Sequence, residues 1–196
     1  MKISSLFLIV AVLVLFSCKH NYPPKPKSYP RIDYPQKKYQ KFTGDCPFTF
    51  EYPVYASIEK DDSKDAQPCW FNILYMPFNA RLHLSYKTIS DSRQLNQYAE
   101  DARDLVYKHT VKAEEIIENL IRDKNPGVYG MYYDLKGNTA SSIQFYLTDS
   151  THHYLRGALY FRVHINRDSL EPMVNFLRED INRMINTFRW KENGKN

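Results

Sequence analysis

Residues 154–165 read YLRGALYFRVHI, an unbroken alternation with the period of a half-buried β-strand. Leu155, Gly157, Leu159, Phe161, Val163 and Ile165 share one face; Tyr154, Arg156, Ala158, Tyr160, Arg162 and His164 share the other. Just upstream, Asp149, Ser150 and Thr151 are turn chemistry, because their short side chains hydrogen-bond their own backbone. Residues 141–147 alternate as well, with Ile143, Phe145 and Leu147 on one side. The two runs predict a β-hairpin. An isolated hairpin is barely stable in water, so the rest of the chain must cover its apolar side.

The first residues are not part of that cover. Lys2 precedes an apolar run over residues 6–16, shorter than the roughly 20 residues of a comfortable membrane span. The run ends in Leu15-Phe16-Ser17-Cys18, a lipobox pattern with a bulkier residue than usual at Phe16. Residues 1–17 therefore read as a lipoprotein signal peptide and Cys18 as the acylated first residue of the mature chain. The alternative is an uncleaved signal anchor. Acyl chains hold a protein to a bilayer because each buried methylene contributes about 0.8 kcal/mol.

Residues 18–41 read as a tether. Pro23, Pro24, Pro26, Pro30 and Pro35 block helix and favour polyproline II, whose rise of about 3.1 Å per residue gives a reach of roughly 70 Å. Of the chain's net +5, residues 19–41 hold +6 and Lys2 one more, so residues 42–196 carry −2. The basic character belongs to the tether, where it suits an anionic surface or serves as a solvated spacer. An exported chain whose folded part is not basic has no nucleic-acid partner.

Residues 42–196 read as a single globular domain, since 43% apolar and 15% aromatic residues are enough to bury a core. Cys46 and Cys69 form an even pair in an exported protein, which predicts a disulfide, with two buried free thiols as the alternative. No CxxC spacing occurs, and no metal or cofactor is expected.

Residues 48–52 predict a first strand, and residues 69–76 and 81–89 a hairpin around a turn at 77–80. Ser90 or Asp91 caps a helix with Leu95, Tyr98, Ala99, Ala102, Leu105 and Val106 on one stripe. Residues 113–121 are ambiguous between helix and strand and are read as helix, on the spacing of Ile116, Ile117, Leu120 and Ile121. A strand follows over 128–135. The last helix starts at an Asp168 cap with Glu171 three residues on, carries Pro172 in its first turn, and ends at Trp190. Hairpin-linked strands with amphipathic helices packed on them make an α+β fold with an antiparallel sheet, similar in element order to the PsbP-like fold.

No catalytic apparatus is legible. His152 and His153 are neighbours that point opposite ways in extended backbone, His164 is too far along its strand to join a ligand cluster, and Ser141 and Ser142 sit in GNTASS rather than GxSxG. Tyr154, Arg156, Tyr160 and Arg162 interleave on the less apolar face of the central strand. They read either as a contact surface for a partner or as structural groups paired with domain carboxylates beneath a helix.

The tether stretch KPKSYPRIDYPQKKYQ, then DCPFTFEYP, KHTVKA and above all KGNTASSIQFYLTDSTHHYLRGALYF resemble the gliding-motility lipoprotein family GldD of the Bacteroidetes, from Cys18 to about Trp190. The resemblance implies a non-enzymatic cell-envelope lipoprotein, held to the membrane by its lipid. It further implies partners among the envelope proteins of the gliding apparatus and the associated type IX secretion machinery. Lys19, His20 and Asn21 lack the acidic residues that mark such lipoproteins for the outer face, which favours an outer-membrane position facing the periplasm. A periplasmic small-ligand-binding protein or an unrecognised hydrolase is the alternative.

Overall fold

A computed structural model describes residues 33–108, 113–122, 125–137, 139–162 and 167–191. Cys18 with its leader, the tether up to residue 32, Val163, His164, Ile165 and the side chain of Asp168 lie outside the described residues.

The elements run β1 (Tyr39–Lys41), β2 (Phe48–Thr49), β3 (Glu51–Pro53), β4 (Ser57–Lys60), β5 (Phe71–Tyr75), β6 (Ala80–Thr88), α1 (Ser92–Tyr107), β7 (Ala113–Ile121), β8 (Tyr129–Gly137), β9 (Ser141–Thr148), β10 (His153–Phe161), α2 (Arg167–Thr187) and β11 (Arg189–Trp190). Seven strands form one sheet in the order β4-β5-β6-β10-β9-β8-β7, with every neighbouring pair antiparallel. The fold is thus α+β. The predicted hairpins β5–β6 and β9–β10 both form, the latter placing Leu155 opposite Leu147 and Leu159 opposite Ile143.

One sheet face is the main core. Phe71, Ile73, Leu82, Leu84, Leu155, Leu159, Ile143, Phe145 and Leu147 are all buried, as are Leu177, Ile181, Met184, Ile185 and Phe188 on α2. Phe42 stacks on Phe50 and Phe71 at 4.9 and 5.0 Å, and Phe48 on Phe188 at 5.5 Å, so the N-terminal strands extend the apolar cover that α2 begins. Gly157 is required at the centre: a Cβ there would lie 2.2 Å from the Phe145 ring. Cys46 and Cys69 are joined, with their Cα atoms 5.7 Å apart.

Three sequence expectations are corrected. Residues 113–121 are strand β7, not helix. The turn at Asn125 to Gly127, whose φ of +72° suits glycine, brings them back along β8, and the ladder satisfies their backbone. As an edge strand β7 leaves Ile117 and Leu120 exposed, which is why its apolar pattern did not read as alternation.

The tether is also shorter than expected, because the folded unit begins at Asp33 rather than at residue 42. Tyr34 packs on Phe176 at 4.6 Å, and β1 pairs with β3. Lys37 Nζ donates to the Phe176 carbonyl and to Asp180 Oδ1, each at 2.7 Å. Asp180 is fully buried and also accepts from the Tyr39 and Tyr55 hydroxyls. Burial, then the Asp180 carboxylate, pushes the Tyr39 phenol up to about 12.

Finally, Trp190 does not close the helix. Arg189 and Trp190 leave α2 as β11, pairing Trp190 with Phe48.

Candidate functional site

The second sheet face is covered unevenly, and this asymmetry makes the site. Helix α1 begins at Asp91, whose carboxylate accepts from the Gln94 N–H at 2.8 Å. From there it crosses β10, β9 and β8. The Tyr154 hydroxyl donates to the Tyr98 carbonyl at 2.9 Å, and Val106 packs into a cluster with Tyr133 and Leu135, flanked by Ile116, Met131 and Tyr146. Beyond it, the strip from β4 across β5 and β6 to β10 carries polar side chains on this face: Glu59, Asn72, Arg81, His83, Ser85, Arg156 and Tyr160. Their common side follows from the register, which sets Glu59 opposite Asn72, Asn72 opposite His83, His83 opposite Ala158, and Arg81 opposite Tyr160. The Arg162 N–H donates to the Asn79 carbonyl at 3.0 Å, prolonging the ladder past the end of β10, and the Arg162 side chain is exposed.

Ala158, on the same face, is fully buried. The His83 ring stands edge-on to Tyr160, centroids 5.4 Å apart. Arg81 pairs with Glu59 at 3.2 Å, while Arg156, half-buried, donates to Gln144 Oε1 at 2.5 Å. Asn72 and Gln144 are 3% and 1% exposed, yet Asn72 Oδ1, Gln144 Nε2 and Arg81 Nε have no hydrogen-bond partner. Buried polar atoms normally find one; of the six orphans among the described residues three lie on this strip, the others being the Tyr132 hydroxyl, Arg178 Nε and Trp190 Nε1. Burial holds the His83 imidazole below its ordinary range. Arg81 pushes the same way, as do Arg156 and Arg162, against an opposing Asp61.

Of the four residues expected to form a contact surface, Arg156, Tyr160 and Arg162 do share this open strip. Tyr154 does not: it is 3% exposed beneath α1, and burial pushes its phenol well above the usual range. Strand alternation placed Tyr154 on the right face but carried no information on which part of that face the helix covers. Asn72, Arg81, His83 and Gln144 were missed as members of the site, although the polar face of β6 was legible by alternation. Their grouping depends on β6 pairing with β10 across an intervening helix and three strands.

The histidine pair is structural. His153 Nδ1 lies 2.7 Å from the Tyr86 hydroxyl and its ring stacks on Trp190 at 5.0 Å, while His152 sits beside Asp149 at 3.7 Å. Among the described residues no group of three or more His, Cys, Asp or Glu is arranged to hold a metal ion. Beside Arg156, a cleft of about 340 Å³ opens between α1 and β6, with Trp70 and Tyr98 as aromatic walls and Ser85, Lys87 and Asp101 as polar lining.

No curated protein matches the chain. Among solved structures it is similar to the solution structure of cyanobacterial PsbP (CyanoP) from Synechocystis sp. PCC 6803, with a TM-score of 0.44 at 13% identity, covering 80% of this chain and 94% of that one. The model of the family described as gliding motility lipoprotein GldD matches residues 19–190, which spans every element above. The chain belongs to the GldD family of gliding motility lipoproteins, lipid-anchored proteins of the cell envelope.

Proposed function

We propose that the domain is a non-catalytic interaction module, acting in gliding motility and the associated type IX secretion machinery through the open strip of its sheet. The observation that carries this reading is the state of Arg156. Among the described residues its half-buried guanidinium meets only a neutral amide, and Arg162, six residues further along, has no carboxylate partner either. A charge drawn partly out of water without a counter-charge is costly. Arg and Tyr on an open surface are the side chains that contribute most at protein interfaces, each adding broad contact area with a directed polar end. We further propose that Cys18 carries the acyl chains, and that the domain faces the periplasm from the outer membrane.

In a deletion strain, Arg156→Ala and Arg162→Ala proteins are expected to be folded, with unfolding midpoints near the parent's, and to fail to restore gliding or secretion. Folded variants that complement fully would overturn the reading. Cys18→Ala is expected to leave the membrane fraction.

The cleft beside Arg156 supports a second reading, a small-ligand site, because its volume lies at the low end of the ligand-pocket range of about 300–1,000 Å³. Under that reading Trp70→Ala, at the cleft wall, abolishes complementation while Arg162→Ala does not.

A further inference from the structure

Resting on the contact-surface reading, we propose that the strip of Arg156, Tyr160 and Arg162 binds an extended acidic segment of a partner protein. The chemistry of the unmet groups defines the occupant. Arg156 uses Nη2 on Gln144 and keeps its remaining N–H groups for another acceptor. Gln144 Nε2, Arg81 Nε and Asn72 Oδ1 are fully buried, so an incoming group meets the Arg156 guanidinium and not these atoms. Carboxylate oxygens suit that guanidinium, since a carboxylate accepts two parallel bonds from its fork.

Spacing gives the form of the segment. Arg156 and Arg162 are six residues apart along one strand, about 20 Å at roughly 3.3 Å per residue. An extended acidic stretch of similar length reaches both arginines and passes Arg81, which stands opposite Tyr160. Local charge agrees with this: residues 42–196 carry −2 overall, yet on this strip Glu59 pairs with Arg81 only, and Arg156 and Arg162 have no carboxylate partner among the described residues. A half-buried guanidinium at one end of the strip suits a side-chain carboxylate that reaches in to it, rather than a flat lipid surface.

The test uses the full lipidated chain in detergent micelles and a fluorescently labelled hexaglutamate peptide, followed by anisotropy. The basic N-terminal segment also attracts this probe, so the readout compares two charge-matched variants. Arg156→Gln with Arg162→Gln is expected to weaken binding at least about tenfold, and Lys25→Gln with Lys27→Gln only about twofold to threefold. A hexaglutamine peptide is expected not to bind. Equal weakening by the two double variants overturns the proposal. So does displacement of the peptide from the arginine strip by phosphatidylglycerol vesicles, which would make the occupant a membrane. The parent reading fails separately. If peptide binding needs both arginines but the same variant restores gliding, the acidic preference stands and the role in motility falls. If the variant fails in cells and the peptide does not bind, the surface stands and the acidic occupant falls.

Discussion

The guanidinium of Arg156 donates to Gln144 Oε1 at 2.5 Å across the β9–β10 ladder, and this amide is its only hydrogen-bond partner among the described residues. A cation is thereby held in place without being neutralised. Replacing Gln144 by Glu supplies the missing charge from within the chain. Gln144→Glu is expected to keep the unfolding midpoint within a few degrees of the parent's and to lose complementation of gliding, because the arginine is then satisfied. Thermal melts and a motility assay on the same variant check both halves.

Asp180 is expected to be the most sensitive charged position. Its buried carboxylate gathers Lys37, Tyr39 and Tyr55, so Asp180→Ala leaves an ammonium and two hydroxyls without their acceptor. Breaking a buried pair from one side costs about 3–5 kcal/mol. Lys37→Ala, which strands the carboxylate, should approach the lower end of that range. Urea denaturation measures both, and a loss under 1 kcal/mol for Asp180→Ala would contradict this account.

The turn between β9 and β10 makes stability depend on pH. Burial alone would raise the Asp149 carboxyl, but the N–H groups of His153, Thr151 and His152 and the Thr151 hydroxyl donate to it and hold it at about 2, against an ordinary 3.8. A depressed carboxyl stabilises the fold above its unfolded value and ceases to do so as the pH falls through its folded value. The contribution, on the order of 2 kcal/mol, is therefore complete above about pH 5 and lost between about pH 4 and 2. Urea titrations across that window should show the decline in the parent and a smaller one in Asp149→Asn.

Cys46 and Cys69 close a loop with a sequence separation of 23. Reduction is expected to lower stability by about 3 kcal/mol through the freedom returned to the unfolded chain. Denaturation with and without reductant measures the loss. Two alkylatable thiols in the unreduced protein would rule the bond out.

What could be read from the residues was what neighbours in sequence decide. The β9–β10 hairpin, the β5–β6 hairpin and the stripe of α2 each rest on local period and turn chemistry, and each formed. Strand β7 was lost because Ile116, Ile117, Leu120 and Ile121 follow helical spacing, and only its pairing with β8 selects the strand. At the site, alternation put Arg156, Tyr160 and Arg162 on one face. It said nothing of Arg81 and His83 alongside them, since that contact spans about half the domain in sequence. The Pro- and Lys-rich composition of residues 18–41 likewise concealed that Tyr34, Lys37 and Tyr39 each have a partner on α2.

That docking determines how the domain bears a pull. Tension transmitted through the N-terminal segment enters the fold at Asp33 and meets Tyr34 on Phe176, then Lys37 on Asp180, before it reaches β1. The short β1–β3 ladder is therefore shielded by an ion pair anchored in α2, which bears the load before the ladder does. Resistance to forced unfolding is set by the barrier to the first rupture, not by total stability. The first ion pair to bear that load is Lys37 on Asp180.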